Sequence, residues 1–209
     1  MDLVAIQPQG AGERATNPYR EELGIRPEQI VLLYSGSMNK KQGLDLLAQV
    51  IHRLGDRHDL VWLLAGEGPT KAELSRACEG LPQVRLLPLQ PVDRLNDWLN
   101  AADIHLLPQK SVVADLVLPS KLLGMLASGR PVIASSPAGS ELAELAGKAG
   151  LCVTPEDVEA FTAAVTRLVD DPAMRASQGS RARQLAEQRF GREAVLQRLE
   201  HQWLQENEE

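Results

Sequence analysis

The stretch IVLLYSGSMNKKQGLDLLAQVIHRLG, residues 30–55, decides the fold class of this chain. It begins with a short apolar run that ends at Gly36, and from Leu44 onward apolar residues return at helical spacing. The first run is apolar at consecutive positions, which is typical of a strand that is buried on both faces. The stretch therefore predicts a unit of strand, tight turn and helix.

The same unit recurs along the chain. Further short apolar runs occupy residues 60–68, 84–89, 103–108, 131–136 and 151–154, and helical patterns separate them. Strands that are apolar on both faces and alternate with helices indicate a parallel sheet covered on each side. Right-handed crossovers then wind the chain about the sheet in both directions. We expect the α/β class: a single Rossmann-like parallel sheet of about six strands with helices on both faces.

Length and composition suit one globular domain. The chain has 209 residues, of which 44% are hydrophobic and 24% charged. Residues 1–18 contain several prolines and glycines and are interpreted as a linker or arm, and residues 19–190 as the sheet domain. Residues 191–209 are expected to form a crossover helix that needs a surface to pack on. Its apolar stripe consists of Val195, Leu196, Leu199, Trp203 and Leu204.

Composition also excludes several classes of function. The net charge is −6 and the basic residues are scattered, which excludes a nucleic-acid-binding stripe. The chain has no apolar stretch of the ~18 residues that a membrane span requires and no signal-peptide pattern, so we expect a cytoplasmic protein. Cys78 and Cys152 lie in apolar contexts that favour buried thiols over a disulfide. No metal-ligand spacing or serine-histidine-aspartate arrangement is visible, so neither a metal nor a cofactor is predicted.

A ligand site is expected at the carboxyl ends of the strands, where backbone amides and helix dipoles converge. The loop after the first strand contains Gly36, Ser37, Lys40 and Lys41. Such a loop lets the backbone approach a phosphate while an ammonium group neutralises its charge. The alternative interpretation is an ordinary strand-to-helix turn with solvated lysines.

The strongest site candidate is VLPSKLLGMLASGRPVIAS, residues 117–135. Pro119 suits the first turn of a helix, so the amides of Ser120, Lys121 and Leu122 are expected to be free donors that together form an anion cradle. In the alternative, Ser120 caps the helix and Lys121 is solvated. We favour the anion site, because two lysine-bearing loops at neighbouring strand ends can face one diphosphate.

Three further residues are weaker candidates. Gly66 and Gly68 follow the second strand and allow a close approach to a ligand in the crevice, although a plain turn between strand and helix explains them too. Asp115 is near enough to Pro119 in sequence to reach a ligand there, and a solvated loop aspartate is the alternative. His105 is not one of these candidates, because it is expected to pack or to form a hydrogen bond inside a strand.

The order of these motifs resembles the C-terminal, nucleotide-sugar-binding domain of retaining GT-B glycosyltransferases, which build bacterial surface polysaccharides. The resemblance covers nearly the whole chain. It rests on YSG followed by KQGLDLL, then LLAGEGP, VRLLPL, LNAADIHLLP, PSKLLGMLASGRPVIAS and GLCVTPEDVEAFTAAVTRLVDDP. The segments KQGLD and ADLVLPSKL are most similar to the colanic-acid and capsule branch of this group.

The resemblance implies a UDP- or GDP-sugar as substrate, with no cofactor and no metal. The donor diphosphate would contact the loop from Gly36 to Lys41 and the helix start. The region of the base and sugar would include Gly66, Gly68, Leu87, Asp115 and Pro119. The acceptor site would come from an N-terminal GT-B domain in cis or in trans, and this chain alone would be inactive. The acceptor itself would be membrane-associated and lipid-linked, and the chain would be peripheral to the inner face of the membrane through that N-terminal domain.

Several positions depart from the family pattern. The two glutamates that many relatives carry before the second apolar run are Leu116 and Gly124 here. Ser37 stands where many relatives have an arginine. Gln42 stands where the family usually has the lysine that precedes the second glycine, and Lys41 lies one residue earlier. A non-catalytic donor-binding subunit and a sugar-nucleotide 2-epimerase are the alternatives, although an epimerase needs clustered carboxylates and a histidine. A receiver-like domain is disfavoured by the length and by the missing acidic pocket.

Overall fold

The computed structural model describes residues 5–111, 118–192 and 196 of the chain. Within these residues, six parallel strands form one sheet in the order β3-β2-β1-β4-β5-β6. The strands are β1 (Ile30–Ser35), β2 (Leu60–Ala65), β3 (Val84–Leu87), β4 (Ile104–Leu107), β5 (Val132–Ser135) and β6 (Gly150–Val153). The prediction of a single Rossmann-like parallel sheet of about six strands is confirmed.

Helices cover both faces of this sheet, as expected. They are α1 (Ala11–Ala15), α2 (Pro18–Glu22), α3 (Leu44–Arg53), α4 (Lys71–Ala77), α5 (Leu95–Ala101), α6 (Ser120–Ala127), α7 (Glu141–Lys148), α8 (Val158–Asp170) and α9 (Pro172–Phe190). Helices α3, α4 and α8 pack on one face, and α2, α5, α6, α7 and α9 pack on the other. None of the described helices is both long and apolar enough to cross a membrane.

Strand β1 explains why the apolar runs have no polar alternation. Leu32 and Tyr34 pack on the side of α3, whereas Val31 and Leu33 pack on the side of α5. All four side chains are fully buried, and burial of each large apolar side chain contributes about 1.5–3 kcal/mol. A strand in the middle of a doubly covered sheet therefore has to be apolar at every position.

The strand order reverses between β1 and β4, and this reversal fixes the position of the ligand crevice. Leu32 pairs with Ile104 and Leu33 with His105, so the two strands run side by side. The chain then leaves β1 toward β2 on one side and β4 toward β5 on the other. In open parallel sheets the crevice beyond the carboxyl ends of two such strands is the usual ligand site.

The described part of the predicted linker or arm, residues 5–18, packs against the domain. The side chain of Ile6 is buried among residues of α6 and α9. Its carbonyl oxygen accepts a hydrogen bond from Arg183 at 2.7 Å, and the carbonyl oxygen of Gln9 accepts one from Arg130 at 2.9 Å. The segment is therefore held by the body of the domain, while the boundary drawn at residue 18 stays a prediction.

The predicted crossover helix at residues 191–209 falls almost entirely outside the described residues. Of its apolar stripe, only Leu196 is described, and it is about half exposed. Val195, Leu199, Trp203 and Leu204 lie outside the described residues. The prediction of an apolar stripe that packs on another surface therefore stays a prediction.

Candidate functional site

The two loops expected to share a ligand do meet at the strand-order reversal between β1 and β4. Lys121, the second residue of α6, extends its ammonium group to the loop that follows β1. Its Nζ atom lies 2.5 Å from Oε1 of Gln42 and 3.4 Å from the hydroxyl oxygen of Tyr34. It also lies 4.4 Å from the centre of the Tyr34 ring. One cation thus joins the loop after β1 to the start of α6.

Gly36 gives Lys121 the space to reach this position. The backbone of Gly36 has φ +147°, in a region that favours glycine. A Cβ atom added there would lie 3.3 Å from Nζ and 3.4 Å from Cδ of Lys121. The glycine therefore meets two requirements at once, the backbone conformation of the loop and the close passage of the lysine.

The ammonium of Lys121 is partly desolvated and has neutral partners. Burial lowers its pKa to about 8. Tyr34 stays neutral because burial raises the pKa of its phenol above the ordinary value, and its hydroxyl donates to the carbonyl oxygen of Ser37 at 2.6 Å. Among the described residues, no carboxylate forms an ion pair with Lys121. A partly desolvated cation without an ion-pair partner interacts more favourably with an anionic ligand than a solvated or paired cation does.

The start of α6 corrects one part of the predicted anion cradle. Pro119 lies just before the helix, and its carbonyl oxygen accepts a hydrogen bond from the amide of Leu122 at 2.9 Å. Leu122 is therefore not a free donor, and its side chain is buried in the core. Ser120 is exposed and does not cap the helix, because Pro119 occupies the capping position. The remaining candidates at this helix start are Ser120 and Lys121.

The other lysines of the first loop are exposed. Lys40 and Lys41 belong to a single helical turn over residues 40–42, whose start is capped by the side chain of Asn39 through a 3.0 Å bond to the amide of Lys41. Ser37 is also exposed, and its hydroxyl accepts a 3.3 Å bond from Asn39. In the described contacts, none of these three side chains touches Lys121.

The glycines after β2 have a structural explanation. A Cβ atom at Gly66 would lie 2.0 Å from the carbonyl oxygen of Gly36, and one at Gly68 would lie 2.2 Å from that of Met38. The close approach predicted for a ligand is thus made by the backbone of the neighbouring loop. Leu87, at the end of β3, accepts a 3.1 Å bond from the amide of Gly66 through its carbonyl oxygen. The part of these residues in binding a base or sugar stays a prediction.

Two of the singled-out positions lie outside the described residues, namely Asp115 and Leu116. Gly124, where many relatives have a glutamate, is buried inside α6 and offers no side chain. In the part of the chain that the structure describes, no group of three or more histidine, cysteine, aspartate or glutamate residues is arranged to hold a metal ion. Metal independence stays a prediction.

Sequence reasoning missed two contributors to this region. Tyr34 is the penultimate residue of β1, and a tyrosine at the carboxyl end of an otherwise aliphatic strand is the signal that could have identified it. Lys110 follows β4 at the same edge of the sheet, and its Nζ atom lies 2.7 Å from Asp45 on α3. Its amide also donates to the carbonyl oxygen of Lys41 at 3.1 Å. Lys110 thereby connects the loop after β4 with the loop after β1.

His105 lies apart from this region, whereas a surface groove shares Lys40 and Lys110 with it. His105 is fully buried in β4, where its Nε2 atom lies 3.0 Å from the hydroxyl of Ser128 and burial lowers its pKa to about 3. The expectation of a packed, hydrogen-bonded histidine is thus confirmed. The groove has a volume of about 730 Å³ and runs along α3 and α4, from Lys40 at one end to Ala77 at the other. Its lining does not include Lys121.

Solved structures share the fold. The C-terminal domain of a glycosyl transferase group 1 family protein, LpcC of Francisella tularensis, superimposes with a TM-score of 0.71 at 16% identity, covering 91% of this chain and 98% of that domain. Anabaena HepE, solved in complex with UDP-glucose, superimposes with a TM-score of 0.77 at 17% identity, covering 98% of this chain and 56% of that protein. At these identities the likeness shows the fold alone.

Sequence relatives give the family. The putative colanic acid biosynthesis glycosyl transferase WcaI of Escherichia coli K12 is 34% identical over 185 residues, which cover 86% of this chain and 44% of that protein. D-inositol 3-phosphate glycosyltransferase 1 of Catenulispora acidiphila is 29% identical, over 83% of this chain and 42% of that protein. The chain thus spans less than half of the length of these curated relatives. Residues 29–171 match the family model for glycosyl transferases group 1, and the chain belongs to that family.

Proposed function

We propose that this chain binds the diphosphate of a UDP- or GDP-sugar at Lys121 and provides the donor half of a retaining, metal-independent glycosyltransferase. One observation carries the proposal: a partly desolvated ammonium with neutral partners lies at the strand-order reversal, beside the loop of Gly36. The complex of Anabaena HepE with UDP-glucose supports a nucleotide-sugar donor for this fold. The names of the sequence relatives support glycosyl transfer over sugar-nucleotide epimerisation.

Lys121 would act on the leaving group. During transfer the bond between the anomeric carbon and the terminal phosphate oxygen breaks, and negative charge grows on the diphosphate. The acceptor oxygen bonds to the anomeric carbon, and the hydroxyl proton is lost to the departing phosphate or to solvent. An ammonium and helix-start amides that already point at the growing charge lower the barrier, because they need no reorganisation.

The acceptor site is proposed to come from a second domain, in cis or in trans. The curated relatives are more than twice as long as the region they share with this chain, which supports a second half in the active enzyme. The similarity to WcaI supports a part in the synthesis of a bacterial surface polysaccharide, and its acceptor is proposed to be a lipid-linked sugar at the membrane. Transfer assays with and without an added acceptor domain test this arrangement, and transfer by this chain alone would contradict it.

Calorimetric titration with UDP and GDP tests the donor site. A double change of Lys41 and Lys121 to alanine removes both charges. It should lower the affinity for the more tightly bound of the two nucleotides at least tenfold, which is about 1.4 kcal/mol. The matched control is Arg26→Ala with Lys148→Ala, which removes two positive charges from exposed positions at the other end of the sheet. The control should bind as the unchanged chain does. Equal affinity of the double variant and the control would contradict the proposal.

A further inference from the structure

Gln42 occupies a position from which it contacts the key cation directly. Its Oε1 atom lies 2.5 Å from Nζ of Lys121. An ammonium group has only donors, so the side-chain amide must present its oxygen to Lys121. A glutamine therefore accepts from the lysine at a site where a carboxylate would neutralise it.

The backbone around Gln42 is held by several contacts. The amide of Gln42 donates to the carbonyl oxygen of Asn39 at 3.0 Å, and the Asn39 side chain caps the same turn. On the other side, the carbonyl oxygen of Lys41 accepts from the amide of Lys110 at 3.1 Å. Gly43 then turns the chain into α3 with φ +61°. The Gln42 side chain thus projects from a fixed turn.

Tyr34 completes the surroundings of the ammonium, and its hydroxyl oxygen also lies 3.4 Å from Oε1 of Gln42, farther than Nζ of Lys121 does. The hydroxyl proton of Tyr34 is used in the 2.6 Å bond to the carbonyl oxygen of Ser37. Its oxygen remains an acceptor for Lys121 at 3.4 Å, and the face of its ring lies below the ammonium. Hence Gln42 supplies the short hydrogen bond, and Tyr34 supplies the ring face and a longer contact.

We propose that Gln42 is a positioning residue that holds the ammonium of Lys121 at the diphosphate position and, because it is neutral, leaves the full positive charge for the ligand. This inference rests on the proposed function. A neutral acceptor restricts the rotamers of the lysine before the donor arrives, so less conformational entropy is lost on binding. A carboxylate at the same position would fix the lysine equally well and would compete with the phosphate for it.

The charged and titratable groups near Lys121 define the range for a pH test. Tyr34 from β1 stays neutral, since burial raises the pKa of its phenol. Asp115 lies outside the described residues. On the turn and on the described part of the loop after β4, the charged groups are the exposed Lys40 and Lys41, and Lys110, which forms an ion pair with the carboxylate of Asp45 on α3.

Two variants of nearly equal size separate positioning from mere packing: Gln42→Glu and Gln42→Met. UDP and GDP affinities are measured by calorimetry between pH 6.5 and 9.5. The unchanged chain should bind most tightly below pH 8 and weaken above it, as the free Lys121 loses its proton. Gln42→Glu should bind at least tenfold more weakly at pH 7, and its affinity should start to fall only at higher pH, because the carboxylate stabilises the ammonium. Gln42→Met should bind the nucleotide severalfold more weakly at pH 7, and its affinity should start to fall at a lower pH than that of the unchanged chain.

A second measurement needs no nucleotide. The titration of the Lys121 side chain, followed by carbon-13 NMR of its Cε atom and assigned with Lys121→Met, should move to higher pH in Gln42→Glu and to lower pH in Gln42→Met. Unchanged midpoints in both variants would overturn the inference, whatever the chain binds. Shifted midpoints in a chain that binds neither UDP nor GDP would keep the positioning contact and would refute the proposed function instead.

Discussion

A buried cation and a half-buried one lie at opposite ends of the same pair of strands, and their partners differ. At the amino end, Arg20 is 2% exposed, and its guanidinium lies 2.5 Å from the carboxylate of Asp103, the residue before β4. Arg14 pairs with the same carboxylate at 2.6 Å, and the amide of Val31 donates to it at 2.7 Å. At the carboxyl end, Lys121 has the neutral partners Gln42 and Tyr34.

This difference separates a charge with an ion-pair partner in the protein from one that we propose binds an anionic ligand. The carboxylate of Asp103 pairs with both arginines, so the cations at that end of the strands have an ion-pair partner within the protein. The ammonium at the other end is partly desolvated and has no ion-pair partner among the described residues. It therefore destabilises the folded state, and a bound anion would offset this destabilisation. The amino end should therefore govern stability, and the carboxyl end should govern binding.

The largest expected effect comes from breaking the amino end. Asp103→Ala leaves two arginines without their carboxylate and the Val31 amide without its acceptor, and it should lower the free energy of unfolding by about 3–5 kcal/mol. Urea denaturation followed by circular dichroism measures the loss. Glu28→Ala is the control, because its pair with Arg26 is mostly exposed, and it should leave the midpoint unchanged. If both variants unfold at the same urea concentration, the amino end is not the stabilising one.

The fold could be predicted from the sequence because each strand is recognisable from its own short segment of sequence. Buried strands such as β1 and β2 are unbroken apolar runs, and the helices between them carry clear apolar periodicity. The contacts of residues 5–18 could not be predicted, since they depend on distant side chains such as Arg183 and Arg130. The bounds of α7 were not predicted either, although a helix was expected between the fifth and sixth strands, since its apolar pattern over eight residues is short.

The site could be predicted only as far as topology determines it. The rule that carboxyl ends of neighbouring strands share a crevice brought the loop of Gly36 and Lys121 together. The same rule could not tell which lysine is buried, and the structure distinguishes Lys121 from the exposed Lys40 and Lys41. The prediction that the amide of Leu122 is a free donor was wrong, because this amide donates a hydrogen bond to the carbonyl oxygen of Pro119 in the first turn of α6.

A second, smaller effect tests the cost of the unpaired cation. The folded-state pKa of Lys121 is about 8, against 10.5 for an ordinary lysine, so between these values the unfolded chain binds the proton more tightly and stability rises with pH. Lys121→Met removes this cost and should be more stable than the unchanged chain by about 1–3 kcal/mol at pH 7. The gain should shrink from pH 8 to 10.5.

Urea denaturation at pH 7, 9 and 10.5 measures this gap, with Lys148→Met as the control. Lys148 is exposed and pairs with Glu144 on the surface of α7. Its replacement should therefore change the stability by no more than an exposed ion pair contributes, under about 1 kcal/mol. A Lys121→Met variant that is less stable than the unchanged chain at pH 7 would mean that the ammonium stabilises the fold, and the contrast between the two ends would fail.

The smallest effect distinguishes the two ends through a pair of glycines. Gly36→Ala and Gly80→Ala both place a Cβ atom where φ is positive, +147° and +79°, and each should cost about 1 kcal/mol of stability. Gly80 has no atom within 4 Å of its added Cβ, whereas that of Gly36 meets Lys121 at 3.3 Å. Only Gly36→Ala should therefore also weaken UDP binding, by a few fold, as calorimetry at pH 7 would measure. Equal nucleotide affinities in the two variants would mean that the loop of Gly36 does not set the position of the lysine.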